Sequence, residues 1–372
     1  MQATDTSYLP TASALAAWLR LEQTPGVGLM TAHDVLQHFG TPEAVFQADR
    51  TQLLAVVQPA RADALLAPPP ADLPAQVEAV LAWRAQPGNV LLTFGHPDYP
   101  VLLREIAAAP LMLYVKGRAA LLHAMSVAVV GSRNASVMGM QNAERMARAL
   151  SESGVTIVSG LALGIDAAAH AGGLAGEGGT IAVIGTGIDR IYPARNAELA
   201  RRIAEQGCII SEYALGTPPL RDNFPRRNRV ISGLARAVLV VEAAAKSGSL
   251  ITARLAGAQG RDVYAMPGSV HAALSKGCNR LIREEGAKLV ETAADVLSEL
   301  QMSVDAVATG SHFDDSFVDR VLDAMGDQPT RADTLAQHLQ QSAAELQGQL
   351  LALELAGLLE RLPGGWFQRL RP

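Results

Sequence analysis

Between residues 127 and 265 the chain repeats one unit: a short apolar run, a glycine-bearing turn, then a stretch with helical spacing. The runs are Val127–Val130, Val155–Ser159, Ile181–Ile184, Cys208–Glu212, Ala237–Val241 and Asp262–Ala265. Several are apolar throughout, with no polar alternation. That pattern suits strands covered on both faces, as in a parallel sheet. Two earlier runs, Val90–Phe94 and Leu111–Val115, extend the series. The expected fold class is α/β, a doubly wound sheet with helices on both faces.

Two regions flank this unit. Residues 10–85 read as helical, broken by Pro68-Pro69-Pro70 and Pro74 before one more helix to about 85. Within them Gly26–Leu36 is similar to a helix-hairpin-helix motif; no lysine or arginine follows closely, so it reads as scaffold. After a polar stretch from Met302 to Asp314, the end of the chain reads as a winged helix. Its helices are expected at Phe317–Met325, Arg331–Gln340 and Ala343–Leu359, with a hairpin at Gly364-Gly365-Trp366-Phe367. The expected division is a helical domain of the SAM or helix-hairpin-helix kind at 1–85, the α/β domain at 86–302, a linker at 303–312 and the winged helix at 313–372. A chain of 372 residues suits two or three domains.

Several function classes are set aside. No apolar run reaches the ~18–20 residues of a membrane helix. The opening MQATDTSYLP has no basic start and no apolar stretch, so no secretory signal is read and the cytoplasm is expected. Cys208 and Cys278 form neither a metal pair nor a disulfide framework. Gly185-Thr186-Gly187-Ile188-Asp189-Arg190 lacks the third glycine of a dinucleotide fingerprint, and no P-loop or nucleophile elbow is present. Asp166 and His170 stand at ligand spacing, but a catalytic metal needs a third ligand, so they read as structural. No cofactor, metal or catalytic residue is expected.

The net charge of −5 hides a basic cluster. Arg221, Arg226, Arg227, Arg229 and Arg236 fall within sixteen residues against one acid, Asp222. A polyanion responds to the local field. Phe224 sits among these arginines, and basic residues interleaved with an aromatic suit an unpaired strand, whose bases are free to stack. The segment reads as a loop entering a helix near Arg226, with Asn228 and Arg229 fixing it to the sheet. A buried Phe224 with the arginines paired to surface carboxylates fits the same composition. The turns Gly131-Ser132-Arg133, Ser159–Gly164, Gly185-Thr186-Gly187 and Lys246-Ser247-Gly248-Ser249 are expected to line one anion-accepting face at the carboxyl ends of the strands. From residue 311 on, nine acids outweigh five arginines, so the winged helix suits protein contact better than duplex DNA.

Asp98-Tyr99-Pro100, Val129–Arg133, Ser159–His170, Gly185-Thr186-Gly187 with Tyr192-Pro193, Asn223–Leu234, Lys246–Ala253 and Pro267-Gly268-Ser269 follow one another in order. Together they resemble the DNA-processing protein A family (DprA, also called Smf), densely over about 90–300 and more loosely in the flanks. The resemblance implies an extended Rossmann-like fold and a homodimer. It implies a non-enzymatic protein that binds single-stranded DNA in natural transformation, protects the incoming strand and loads RecA onto it. It implies a DNA pocket at Arg133, Arg221 and Phe224, to which the position of its loop adds Lys246. Around these come Gly131, Ser132, Gly160, Gly164, Asn223, Arg226, Arg227, Asn228, Arg229, Ser247, Gly248 and Ser249. A dimer and RecA surface is expected at Leu281, Ile282, Glu285 and Leu289. The rival reading is a Rossmann-like nucleotide-processing enzyme of the phosphoribohydrolase type. Its P-G-G-x-G-T-x-x-E motif is missing; the comparable position reads Ala245-Lys246-Ser247-Gly248-Ser249. A transcription factor acting through the winged helix is disfavoured by that domain's acidity.

Overall fold

The structure, a computed structural model, describes residues 11–302 and, beyond them, 321, 324–325, 329–339, 346, 350, 353–354, 359–362 and 366–369. Each of the eight apolar runs lies on a strand. These are β1 Asn89–Thr93, β2 Met112–Gly117, β3 Ser126–Val130, β4 Thr156–Ser159, β5 Thr180–Val183, β6 Cys208–Ser211, β7 Ala237–Val240 and β8 Asp262–Ala265. A ninth strand, β9 Lys288–Leu289, is two residues long, too short to leave a pattern in the sequence. The sheet order is β1-β2-β6-β5-β4-β3-β7-β8-β9. From β3 onward all neighbours are parallel. β1 and β2 pair antiparallel with each other, and β2 pairs antiparallel with β6, a direction that apolar runs alone do not encode.

The chain steps outward from β3 to β6, then returns to lay β7 on the other side of β3. The strand order therefore reverses between β3 and β7, which is where open α/β sheets leave a crevice beyond their carboxyl ends. Eight helices accompany the sheet: α7 Val101–Arg104, α8 Val137–Glu152, α9 Ile165–Gly173, α10 Ala197–Gln206, α11 Asn223–Leu234, α12 Ser249–Ala258, α13 Lys276–Glu284 and α14 Ala293–Glu299. On one face Val230, Ile231 and Leu234 of α11 and Leu250 and Ala253 of α12 share a core with Val130, Val158, Val183 and Val238. On the other, Gly173 of α9 lies directly against Ile157 and Thr180.

The first region forms α1 Ala12–Gln23, α2 Leu29–Phe39, α3 Pro42–Gln47, α4 Arg50–Leu54, α5 Pro59–Leu66 and α6 Leu73–Arg84. Its apolar side chains, among them Leu19, Val35, Val45 and Val80, are continuous with Leu91, Met112, Tyr114 and Ile209 of the sheet. The helices thus share the sheet's compact unit, which falls within Met1–Asp305.

A second compact unit lies within Ala306–Pro372. It contains β10 Thr330–Arg331, α15 Ala332–Leu339, β11 Leu359–Leu362 and β12 Trp366–Arg369, with the strands in the order β10-β12-β11, all antiparallel. Val321, Leu335, Leu350, Leu359 and Phe367 form its core. The expected hairpin is thus β11 and β12. The linker at 303–312, residues 317–320 and 322–323 of the first expected helix, residue 340 of the second, most of the third and Gly364-Gly365 lie outside the described residues. Among the described residues no helix is long and apolar enough to cross a membrane.

Candidate nucleic-acid interface

A cleft of about 530 Å³ opens where the strand order reverses. Ser132, Arg133 and Asn134 after β3 form one wall, and Lys246 to Ser249 after β7 form the other. Gly131 and Gly164, among the expected glycines, are there for packing. A Cβ on Gly131 would stand 2.5 Å from Cγ1 of Ile165 and 2.8 Å from the Glu242 carbonyl oxygen. Gly164 has φ +77°, and a Cβ on it would meet the Ser132 carbonyl oxygen at 2.3 Å. The turns after β3, β4 and β7 are thereby locked together: Ser132 N–H donates to the Glu242 carbonyl at 2.7 Å, and Ile165 N–H to the Ser132 carbonyl at 3.1 Å. Gly248 differs, since nothing lies within 4 Å of a Cβ there. It is exposed at the start of α12, where the Ser247 and Ser249 hydroxyls share a 2.8 Å hydrogen bond.

The floor is Arg227, 4% exposed. Its Nη1 donates to the Gly160 carbonyl at 2.7 Å and also to the Val183 carbonyl, and its Nε reaches Oδ1 of Asn228. Burial lowers its pKa to about 10, against the opposing pull of Asp166. Asp166 accepts the N–H groups of Gly160 (3.1 Å) and Ala162 (3.3 Å). Burial raises its pKa, while Arg227 and those two N–H groups pull the other way. His170 takes the Leu161 N–H on Nε2 at 3.2 Å and holds the Thr180 hydroxyl on Nδ1 at 2.8 Å. That hydroxyl donates to the Ile157 carbonyl, so Nδ1 carries the imidazole hydrogen. Burial, reinforced by Arg227, lowers the pKa of His170 to about 3 and keeps it neutral. Asp166 and His170 therefore brace the turn after β4, the structural role expected in the absence of a third ligand.

The arginine segment is helical from Asn223, three residues earlier than expected, with Pro225 in the first turn where its missing N–H costs nothing. A helix divides its residues between faces. Arg227, Asn228 and Ile231 face the first cleft. Asn223, Arg226 and Arg229 face a second cleft of about 780 Å³, whose far wall includes Gly28 to Thr31 and Arg61. Asn223 is buried and donates to the Gly185 carbonyl at 3.1 Å. Arg229 forms a largely buried ion pair with Glu212. Arg221 and Arg226 remain exposed. The even composition of the segment thus conceals two anchored and two exposed guanidinium groups.

Phe224 is half-buried beside the first cleft. Its Cδ1 would be 3.1 Å from a Cβ on Gly185, which explains the glycine in that turn. The Arg133 guanidinium stands 5.8 Å from its ring centroid. Tyr192, which the sequence reading did not select as a site residue, brings its own ring to 5.5 Å from that of Phe224, tilted 43°. Its signal in the sequence was its place in the Tyr192-Pro193 pair that follows the Gly185-Thr186-Gly187 turn.

Residues 90–301 match the family model of DNA recombination-mediator protein A. The chain belongs to that family. Residues 314–365 match the DprA winged helix domain, in agreement with the second unit. Among the chain's recombination-mediator relatives, Protein Smf of Escherichia coli (strain K12) is 42% identical over 300 residues, covering 78% of this chain and 80% of the relative. The X-ray structure of DNA processing protein A from Streptococcus pneumoniae superposes with TM-score 0.64 at 39% identity, covering 78% of this chain and 98% of that one. The DNA processing protein A of Helicobacter pylori, whose structure is described in terms of its unique single-stranded DNA binding mode, gives TM-score 0.53 at 30% identity over 57% of this chain and 95% of that one.

One residue expected on the recombination-mediator dimer surface is placed inward. Leu281 of α13 is 2% exposed and belongs to the sheet's core, so it is removed from that surface. Ile282 is partly buried against the same core. Glu285 pairs with Arg254 at 2.9 Å and Arg280 at 3.4 Å. Leu289 is 51% exposed on β9, the outermost strand of the sheet.

Proposed function

We propose that this recombination mediator binds single-stranded DNA along the carboxyl end of its sheet, protects the strand during natural transformation and loads RecA onto it, without catalysing a reaction. The observation that carries the reading is the charge balance of the first cleft. The acids near it are turned inward: Asp166 accepts backbone N–H groups, and the Glu242 carboxylate accepts from Ser136 N–H at 2.8 Å and its hydroxyl at 2.6 Å. Arg133 and Lys246, by contrast, form no close ion pair among the described residues, although Arg133 lies near enough to Asp166 to favour its charged form. Arg221 is exposed ahead of α11 and lines neither cleft, while Phe224 stands beside Arg133. Phosphate-gripping cations next to an aromatic ring suit an unpaired strand. The single-stranded DNA binding mode described for the Helicobacter pylori relative supports the same assignment. Asp166 and His170 are committed to the turn after β4 and Glu242 to Ser136, which weighs against the phosphoribohydrolase alternative.

The same reading expects a cytoplasmic homodimer in which Ile282 and Leu289 contribute apolar contact along β9, with RecA engaging the neighbouring surface around Glu285. The deciding experiment compares single-stranded and duplex DNA of one sequence in a gel-shift titration, then follows RecA filament growth on the bound strand. Preference for the single strand and faster filament growth are expected. Equal affinity for the duplex overturns the assignment of the cleft, and unchanged filament growth overturns RecA loading.

A further inference from the structure

Tyr192 is 48% exposed and its neighbour Ile191 46%, on the loop between β5 and α10. An aromatic side chain left this open contributes little to the core. The loop is nevertheless held firmly. Gly187 N–H donates to the Thr217 carbonyl at 3.0 Å, the Asp189 carboxylate accepts Gly216 N–H at 2.9 Å, and the Thr186 hydroxyl donates to the Arg190 carbonyl at 2.6 Å. A ring presented on a pinned loop loses little freedom when something stacks on it. Phe224 is placed differently. It is half-buried, fitted over Gly185, with the Arg133 guanidinium and the Tyr192 ring as its neighbours. The more open of the two rings is therefore Tyr192.

We infer that Tyr192 forms a base-stacking subsite beside the cleft, taking one unpaired nucleobase on its open side, while Phe224 supports it from behind. The inference rests on the single-strand reading above and names where a base goes once the phosphates are held. Every base has a face to stack, so the subsite tolerates any sequence.

The test is a fluorescence-anisotropy titration with an oligothymidylate and an abasic strand of the same length. Tyr192→Ala is expected to weaken binding of the oligothymidylate by roughly 5- to 100-fold and to leave the abasic strand unaffected. Tyr192→Phe, which keeps the ring, retains the wild-type value. Tyr192→Leu, which keeps apolar contact with Phe224, repeats the loss without disturbing the fold. Wild-type affinity in Tyr192→Ala overturns the inference and leaves the open edge of Ile191 and Tyr192 to another protein. Equal losses on both strands overturn it as well, because stacking needs a base. If the wild-type protein binds neither strand, it is the single-strand reading itself that fails, with the subsite falling in consequence.

Discussion

The Arg227 guanidinium donates to the Gly160 carbonyl at 2.7 Å and fills the space that a side chain on Gly160 would take, since a Cβ there would stand 2.7 Å from Nη2. The pair fastens α11 to the end of β4 beneath the cleft. Arg227→Ala would leave the Gly160 and Val183 carbonyls buried without this donor. A loss of roughly 2–4 kcal/mol is expected. Urea unfolding reads it directly, and an unchanged midpoint would remove Arg227 from the scaffold.

Arg133 and Arg221 should behave in the opposite way. Arg221 and Arg133 are both exposed, and neither forms a close ion pair among the described residues, so replacing either by alanine should leave the unfolding free energy within about 0.5 kcal/mol of wild type. Strand affinity should fall. For each phosphate that the variant no longer neutralises, the slope of log K against log salt should become shallower by about 0.7. A slope equal to wild type in both variants would place the phosphates elsewhere.

The sheet was legible because its strands are buried on both faces, and burial writes itself into the sequence as unbroken apolar runs. Direction is not written there, so the antiparallel β1 and β2 came only from the structure. The cleft was legible through its turns, but the reason for each glycine was not. Gly131, Gly160 and Gly164 answer to neighbours far away in sequence: Ile165 and Glu242, Arg227, and Ser132. The arginine segment was legible as a cluster only. Which guanidinium is anchored depends on the phase of α11 and on acceptors such as Glu212 and the Val183 carbonyl, which no local pattern contains.

The glycines can be sorted by substitution. Gly131→Ala and Gly164→Ala force a Cβ against backbone oxygen, and Gly164 also needs a positive φ. Each should cost more than about 2 kcal/mol and loosen the joined turns. Gly248→Ala meets open space at φ −62° and should fold as wild type. Any loss of strand affinity in Gly248→Ala then reports on the cleft alone. Thermal melting of the three variants separates the cases; equal melting temperatures would contradict the packing roles.

A buried carboxyl pair at the foot of the second cleft gives the protein a pH signature. Oε2 of Glu22, on α1, and Oε1 of Glu212, following β6, are buried without hydrogen-bond partners. Burial, helped by the neighbouring Glu212, pushes the pKa of Glu22 up to about 8 from an ordinary 4.5. The folded state thus prefers the protonated form. The stability this brings is complete below pH 4.5 and drains away as pH rises through 8, at a slope of at most about 1.4 kcal/mol per pH unit. Glu22→Gln imitates the protonated form permanently. The variant should match wild type near pH 4.5 and exceed it by roughly 4 kcal/mol at pH 8. Urea titrations of both proteins at the two pH values measure the difference. An advantage that stays constant with pH would mean that the gain comes from packing and that Glu22 does not titrate between them.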